Sequence, residues 1–105
     1  MKVIAFNGSP RKEGNTSALL GAVLEELEDQ GVETELIHLD GPLSGCTACG
    51  KCWEKKDGRC ALDRDMVNEC IEKMAGADGI ILGSPTYFAD LTPEMKALID
   101  RAGFV

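Results

Sequence analysis

The sequence predicts a doubly wound parallel α/β sheet, and three observations support that prediction. Two short apolar runs, at 3–6 and 80–82, each lead into a Gly-Ser-Pro turn, as is typical of strands buried on both faces of a sheet. Apolar residues in the segments between them repeat at three-to-four spacing, which is typical of amphipathic helices. Strands and helices therefore alternate, which favours parallel strands joined by right-handed crossovers.

The first part of the chain contributes a strand, a helix and a second strand. The first strand is predicted at 3–6, where the apolar run is closed by turn residues. A helix is predicted from Thr16 to a stop at Gly31, because leucine and valine residues recur on one face between acidic residues. A second strand is predicted at 33–39, although its alternation is less regular.

The second part repeats this order after a long loop. The segment 41–64 is rich in glycine, cysteine and lysine, and a loop of that length usually has a function. A second helix is predicted from about Asp65, and a third strand at 79–83. Thr92 and Pro93 then supply an N-cap and a proline at the first position of a third helix.

Composition excludes several classes of protein. A chain of 105 residues, 44% of them hydrophobic, supports a single domain over 1–105. The net charge of −7 disfavours binding to nucleic acid and to acidic membrane surfaces. Because the sequence contains neither an apolar stretch near the roughly 20 residues of a membrane span nor a signal-peptide core, we expect a cytoplasmic protein.

The turn after the first strand has the features of an anion site. Several hydrogen-bond donors are expected to converge there: the hydroxyls of Ser9, Thr16 and Ser17, the guanidinium of Arg11 and the free amides of a helix start. The segment matches neither the dinucleotide-binding glycine pattern nor the P-loop of nucleotide hydrolases. A phosphate site is the functional interpretation, and an ordinary polar turn capped by Thr16 is the alternative.

A second turn of the same kind follows the third strand. In a sheet with strand order 2-1-3, the first and third strands are neighbours, so both turns should face one crevice outside their carboxyl ends. The aromatic residues Tyr87 and Phe88 lie beside that turn. Phosphate ligands on one side and aromatic rings on the other suit a flat phosphorylated cofactor such as FMN. Packing under a loop is the alternative for both rings.

Four of the five cysteines lie within one loop, in the pattern Cys46-x2-Cys49-x2-Cys52-x7-Cys60. Three thiolates at three-residue spacing and a fourth nearby favour an iron–sulfur cluster over zinc, whose structural sites usually combine two separated Cys-x2-Cys pairs. A zinc site and free or redox-active thiols remain alternatives. Cys70 lies on the apolar face of the second predicted helix, where we expect it to pack in the core.

These motifs together resemble the flavodoxin-like NAD(P)H-dependent FMN reductase family, and within it the iron–sulfur flavoprotein branch. The matching pieces are Gly8-Ser9-Pro10-Arg11 with Gly14-Asn15-Thr16, the four-cysteine loop, and the segments 78–88 and 95–101. They cover nearly the whole chain, and their order and spacing are more specific than any one of them.

The resemblance implies a cofactor and a role for particular residues. The residues it assigns to the FMN phosphate are Ser9, Arg11, Asn15, Thr16 and Ser17. Those that would border the ribityl chain and the isoalloxazine ring are Pro85, Thr86, Tyr87 and Phe88. The ligands of a [4Fe–4S] cluster would be Cys46, Cys49, Cys52 and Cys60.

The resemblance also implies a reaction class. Members of this branch pass electrons between a ferredoxin-like donor, the cluster and FMN, and associate as dimers or tetramers; others in the wider family take hydride from NAD(P)H. The flavin would carry the redox chemistry, and no residue would act as a catalytic acid or base.

A five-stranded sheet of this kind needs well over 105 residues, so we expect the chain to be truncated after its third strand–helix unit. Strand three would then present an unpaired edge, which favours association with another chain. Two other hypotheses remain: an FMN-binding NAD(P)H-dependent reductase without a cluster, and a non-catalytic half-domain that acts as a metal-binding or dimerisation module.

Overall fold

The computed structural model describes residues 1–105 and contains one parallel sheet. Its strands are β1 (Lys2–Asn7), β2 (Glu33–His38) and β3 (Gly79–Gly83), in the order β2-β1-β3. Residue pairs such as Ala5 with Leu36 and Ala5 with Ile81 set the register on the two sides of β1. The predicted fold class and strand order are confirmed.

Four helices accompany the sheet. They are α1 (Asn15–Asp29), α2 (Lys51–Lys55), α3 (Val67–Ala75) and α4 (Pro93–Phe104). The helix predicted from about Asp65 begins two residues later, at Val67. The short α2 was not predicted, because five residues are too few to show a helical period. It lies between Gly50 and Lys56, which both have positive φ angles, of 73° and 50°.

The two faces of β1 are covered by different helices, because successive side chains of a strand point to opposite sides. Ile4 and Phe6 are fully buried in a cluster that includes residues of α3 and α4. Ala5 points the other way and packs with Leu20 and Leu24 of α1. The helices therefore lie on both sides of the sheet, as a doubly wound arrangement requires.

Strand β3 lies at an edge of the sheet and pairs only with β1. Its side chains Ile80 and Leu82 are 47% and 46% exposed. This edge carries the unpaired backbone groups that the sequence predicted. Each helix is too short or too polar to cross a membrane.

Candidate functional site

The two Gly-Ser-Pro turns meet at the carboxyl edge of the sheet. The backbone N–H of Gly8 donates a hydrogen bond of 2.8 Å to the carbonyl of Gly83. Thr92, at the start of α4, links both turns: its hydroxyl donates to the Gly8 carbonyl at 2.7 Å, and its N–H donates to Ser84 Oγ at 3.0 Å. The same hydroxyl accepts the N–H of Met95 as the predicted N-cap of α4. The structure therefore brings the two turns together.

Close approach of α4 requires a glycine at the first turn. A Cβ on Gly8 would lie 2.9 Å from Cβ of Met95 and 3.1 Å from Oγ1 of Thr92. Because the Met95 Cβ is fixed by the helix backbone, it has little room to move. Gly8 thus allows β1 and the start of α4 to pack against each other.

Hydrogen bonds within the turn between β1 and α1 hold its backbone, whereas the charged side chain of Arg11 forms no ion pair. Ser9 is buried; its N–H donates to Asn7 Oδ1 at 2.9 Å, and its hydroxyl accepts the N–H of Arg11 at 3.1 Å. The guanidinium of Arg11 is exposed and takes part in none of the ion pairs.

The start of α1 has unused hydrogen-bond donors. Its N-cap residue is Gly14, no side chain caps the helix, and its first turn contains no acidic residue. That first turn is formed by Asn15, Thr16 and Ser17. Thr16 therefore lies inside the helix, and the alternative interpretation of Thr16 as its cap is wrong. An uncapped helix start is a favourable environment for an anion.

The turn after β3 presents an aromatic ring to solvent. Tyr87 and Asp90 exchange backbone hydrogen bonds of 2.7 and 2.8 Å, which close a tight turn. Phe88 and Ala89 at its tip have positive φ angles, of 26° and 65°, a region that such residues rarely adopt. The Phe88 side chain is fully exposed, so it is not packed under a loop. Pro85 is half-buried and Thr86 is exposed beside this turn.

The four loop cysteines surround one cavity of about 150 Å³. Its lining includes Cys46, Cys49, Cys52 and Cys60, the charged residue Arg101, and apolar groups, among them Trp53 and Phe104. The indole N–H of Trp53 donates to the Phe104 carbonyl at 2.9 Å, and the two rings pack edge to face. The end of α4 is thereby attached to α2. No three His, Cys, Asp or Glu side chains lie close enough together to hold a single metal ion.

Cys60 is held more firmly than the other three cysteines. The Asn68 side chain pairs with both backbone groups of Cys60, accepting its N–H at 2.8 Å and donating to its carbonyl at 2.9 Å. Nε of Arg101 donates to the Cys60 sulfur at 3.3 Å. Cys46 and Cys49 are exposed, and the backbone N–H of Lys51 lowers the pKa of the Cys49 thiol.

A buried ion pair lies behind Cys60. Arg101 Nη1 and Asp65 Oδ2 are 2.6 Å apart, and both side chains are almost inaccessible to solvent. Burial alone would raise the pKa of Asp65, but the hydrogen bonds from Arg101 and from the N–H groups of Ser44 and Val67 outweigh it and lower that pKa. Asp65 is therefore a carboxylate at neutral pH.

The remaining cysteine is a core residue, as predicted. Cys70 is fully buried in the cluster that contains Phe6 and Leu98. Burial raises the pKa of its thiol to about 11, so it is protonated at neutral pH.

Local sequence patterns do not predict the polar residues that shape the site, which are Asn68, Asp65 and Arg101, or the second hydrogen-bonding role of Thr92. A signal was present for two of them. Arg101 follows Leu98 by three residues and so lies on the buried face of its helix, and Asn68 follows Val67 at the buried start of α3. A charged or amide group on an apolar face indicates a buried polar contact.

Comparison with known proteins agrees with the features above. The family model for NADPH-dependent FMN reductases matches residues 1–104. An iron–sulfur flavoprotein of Methanocaldococcus jannaschii is 47% identical over 103 residues, which are 97% of this chain and 52% of that protein. One of Archaeoglobus fulgidus is 42% identical over 102 residues, 96% of this chain and 45% of its own length. The chain thus spans about half the length of these curated relatives.

Solved structures show the same fold. The NAD(P)H:quinone oxidoreductase from Methanothermobacter marburgensis matches with a TM-score of 0.76 and 20% identity, over 97% of this chain and 52% of its own. An apo NADH:FMN oxidoreductase matches with a TM-score of 0.65 and 24% identity, over 94% and 48%. The flavodoxin-like arrangement of the sheet is confirmed, and the family model with the sequence identities shows that the chain belongs to the NADPH-dependent FMN reductase family.

Proposed function

We propose that this chain is part of an FMN-dependent oxidoreductase that also carries a [4Fe–4S] cluster. The observation that supports this most directly is that four cysteines line one cavity in a chain that belongs to an FMN reductase family. The two candidate sites lie at the two ends of α4, whose twelve residues span about 18 Å.

The cysteine cavity fits a cluster better than a single ion. A single zinc ion binds its sulfurs at about 2.3 Å and draws them close together, whereas four irons at the corners of a cube hold their thiolates farther apart. Cys46, Cys49, Cys52 and Cys60 line a common cavity without three of them forming a compact group. A cluster held there would supply one-electron transfer, while Trp53 and Phe104 would limit access of water.

The other end of α4 fits a phosphorylated flavin. Ser9, Arg11 and the first-turn residues Asn15, Thr16 and Ser17 would hold the phosphate, because the helix start is uncapped and the Arg11 guanidinium is free. The residues that would border the ribityl chain and the ring are Pro85, Thr86, Tyr87 and Phe88. FMN would supply the redox chemistry, and the chain would bind and orient it.

The electron donor we propose is a reduced nicotinamide or a ferredoxin-like protein, and we propose a homo-oligomeric assembly, a dimer or tetramer. The exposed edge of β3, with its apolar Ile80 and Leu82, favours pairing with a further strand, from this protein or from a second copy. Sedimentation equilibrium measures the assembly, and NAD(P)H oxidation followed at 340 nm tests the donor.

Anaerobic purification followed by a visible spectrum and quantitation of flavin and iron tests the two cofactors. We expect FMN and about four irons per chain. Cys52→Ala should lose the iron and keep the flavin, because the two sites lie at opposite ends of α4. Cys70→Ala is the matched control, since Cys70 lies in the core away from the cavity, and it should keep both.

The proposal would be contradicted if wild-type protein, shown by circular dichroism to be folded, took up neither FMN nor iron on reconstitution. FMN without iron would instead favour a reductase whose cysteines are free thiols. The exposure of Cys46 and Cys49 is the observation that supports this second candidate.

A further inference from the structure

Arg101 forms hydrogen bonds to several groups in and beside the cysteine loop, and the proposed function assigns it no role. Its side chain is fully buried and donates to the carbonyls of Ser44, at 3.0 Å, and of Leu62. It also pairs with Asp65, whose carboxylate accepts the N–H of Ser44 at 3.2 Å. Ser44 comes shortly before Cys46, the first cysteine of the loop, and Leu62 comes shortly after Cys60, its last. The Arg101 side chain therefore joins the two ends of the loop.

Of the three guanidinium nitrogens, Nε is the one that contacts the sulfur. Both terminal nitrogens are directed at oxygen atoms, whereas Nε lies 3.3 Å from Sγ of Cys60. Every buried side-chain nitrogen and oxygen in the chain has a hydrogen-bond partner, so this arrangement is satisfied before any cofactor binds. The planar fork of arginine can serve all these acceptors at fixed angles, whereas a lysine ammonium presents a single point charge.

We propose that Arg101 positions the Cys60 sulfur as a ligand and makes the cluster easier to reduce, an inference that rests on the proposed function. Hydrogen bonds to the sulfurs are among the factors that set the potential of such clusters. A cationic N–H aimed at a ligand sulfur stabilises the more negative, reduced form. Arg101 neither gains nor loses a proton, and the single electron that reduces the cluster comes from the ferredoxin-like donor already proposed, which is oxidised by one electron.

The test removes the donor while keeping the charge of the pair unchanged. In Arg101→Met combined with Asp65→Asn, one positive and one negative charge disappear together, so a shift in potential is not the result of a changed net charge. The matched control is Lys96→Met combined with Asp100→Asn, an exposed ion pair of 2.6 Å on the same helix. The reduction potential of each variant is measured by anaerobic redox titration, with electron paramagnetic resonance detecting the reduced cluster.

We expect the buried double variant to shift the equilibrium about tenfold towards the oxidised cluster. For a one-electron couple, this shift corresponds to a reduction potential about 59 mV lower than that of the wild type. The control should keep the wild-type potential. An iron-loaded double variant with an unchanged potential would overturn this inference and leave the proposed function standing. Wild-type protein that takes up no iron would overturn both.

A second measurement covers the case in which the buried double variant does not fold. In metal-free protein, the Arg101 Nε–H should give a resolved ¹H–¹⁵N signal that is protected from exchange. Cys60→Ala should shift that signal, whereas Cys70→Ala should not, because of these two cysteines only Cys60 accepts a hydrogen bond from Arg101. A signal unmoved by Cys60→Ala would show that the sulfur is not held and would overturn the inference.

Discussion

The two ends of α4 are held together in different ways. At its start, the turns after β1 and β3 are joined through the backbone: Gly8 bonds directly to Gly83, and Thr92 adds a hydroxyl between them. At its end, the cysteine loop is held by side chains, chiefly Asn68 and Arg101. The first region is shaped by the sheet itself, and the second by a few buried polar groups.

This difference has an energetic consequence. Removing one side-chain hydrogen bond between the turns, such as that of Thr92, leaves the pairing of β1 with β3 in place and should cost little stability. The cysteine loop has no sheet beneath it, and its anchoring depends on a buried charge that must stay paired. We therefore expect the largest losses of stability from substitutions at the end of α4.

Arg101→Met should have the largest effect, a loss of about 3–5 kcal/mol in the free energy of unfolding. The substitution leaves the Asp65 carboxylate buried without its partner, and it also removes donors from two carbonyls of the loop. Urea denaturation followed by circular dichroism measures the loss.

Lys96→Met is the matched control, because it breaks an exposed ion pair on the same helix and exposed pairs contribute little. Adding Asp65→Asn to Arg101→Met should recover part of the lost stability, since no buried charge is then unpaired. Equal losses from Arg101→Met and Lys96→Met would show that the buried pair does not anchor the loop.

Asn68→Ala should destabilise the chain by about 1–3 kcal/mol, because the N–H and the carbonyl of Cys60 both lose their partner. The same denaturation experiment measures this effect, with the exposed neighbour Glu69→Ala as control. Hydrogen exchange adds a local readout: the amide of Cys60 should exchange faster in Asn68→Ala. Unchanged exchange at Cys60 would contradict the role given to Asn68.

The sequence predicted those features that depend on neighbouring residues. The strands, the turns that end them and the N-cap at Thr92 are all local patterns, and the structure confirms them. The spacing of the four loop cysteines predicts that they act together, and in the structure all four line one cavity, while the group that they bind stays a prediction. By contrast, α2 was missed because its shape depends on the αL residues at its ends rather than on any apolar period.

The anchors of the cysteine loop could not be predicted because they join distant parts of the chain. Arg101 is 41 residues from Cys60, and nothing between them indicates that the two meet. A lone arginine on an apolar helix face predicts that a partner exists, but only the packing of α4 on the loop identifies it. The same holds for Thr92, whose hydroxyl reaches a carbonyl 84 residues away.

Thr92→Val should have a smaller effect, about 1–2 kcal/mol, because it removes the cap of α4 and the partner of the Gly8 carbonyl together. Strand pairing of β1 with β3 limits the loss. Thr92→Ser keeps the hydroxyl and should stay close to wild type in thermal unfolding. A loss from Thr92→Val as large as that from Arg101→Met would reverse the comparison between the two ends of α4.

Arg11→Ala should leave stability almost unchanged, because the exposed guanidinium belongs to no ion pair of the chain. Its effect should appear in ligand binding: if the side chain contacts the FMN phosphate, affinity should fall by about 1–3 kcal/mol. Quenching of FMN fluorescence measures this, and riboflavin, which lacks the phosphate, should bind wild type and variant alike. Lys12→Ala removes the same positive charge from the same loop. Comparing the two variants separates a direct contact of Arg11 with the phosphate from a general electrostatic attraction. Equal weakening by both variants would show that the turn attracts the phosphate by its charge without a specific contact from Arg11.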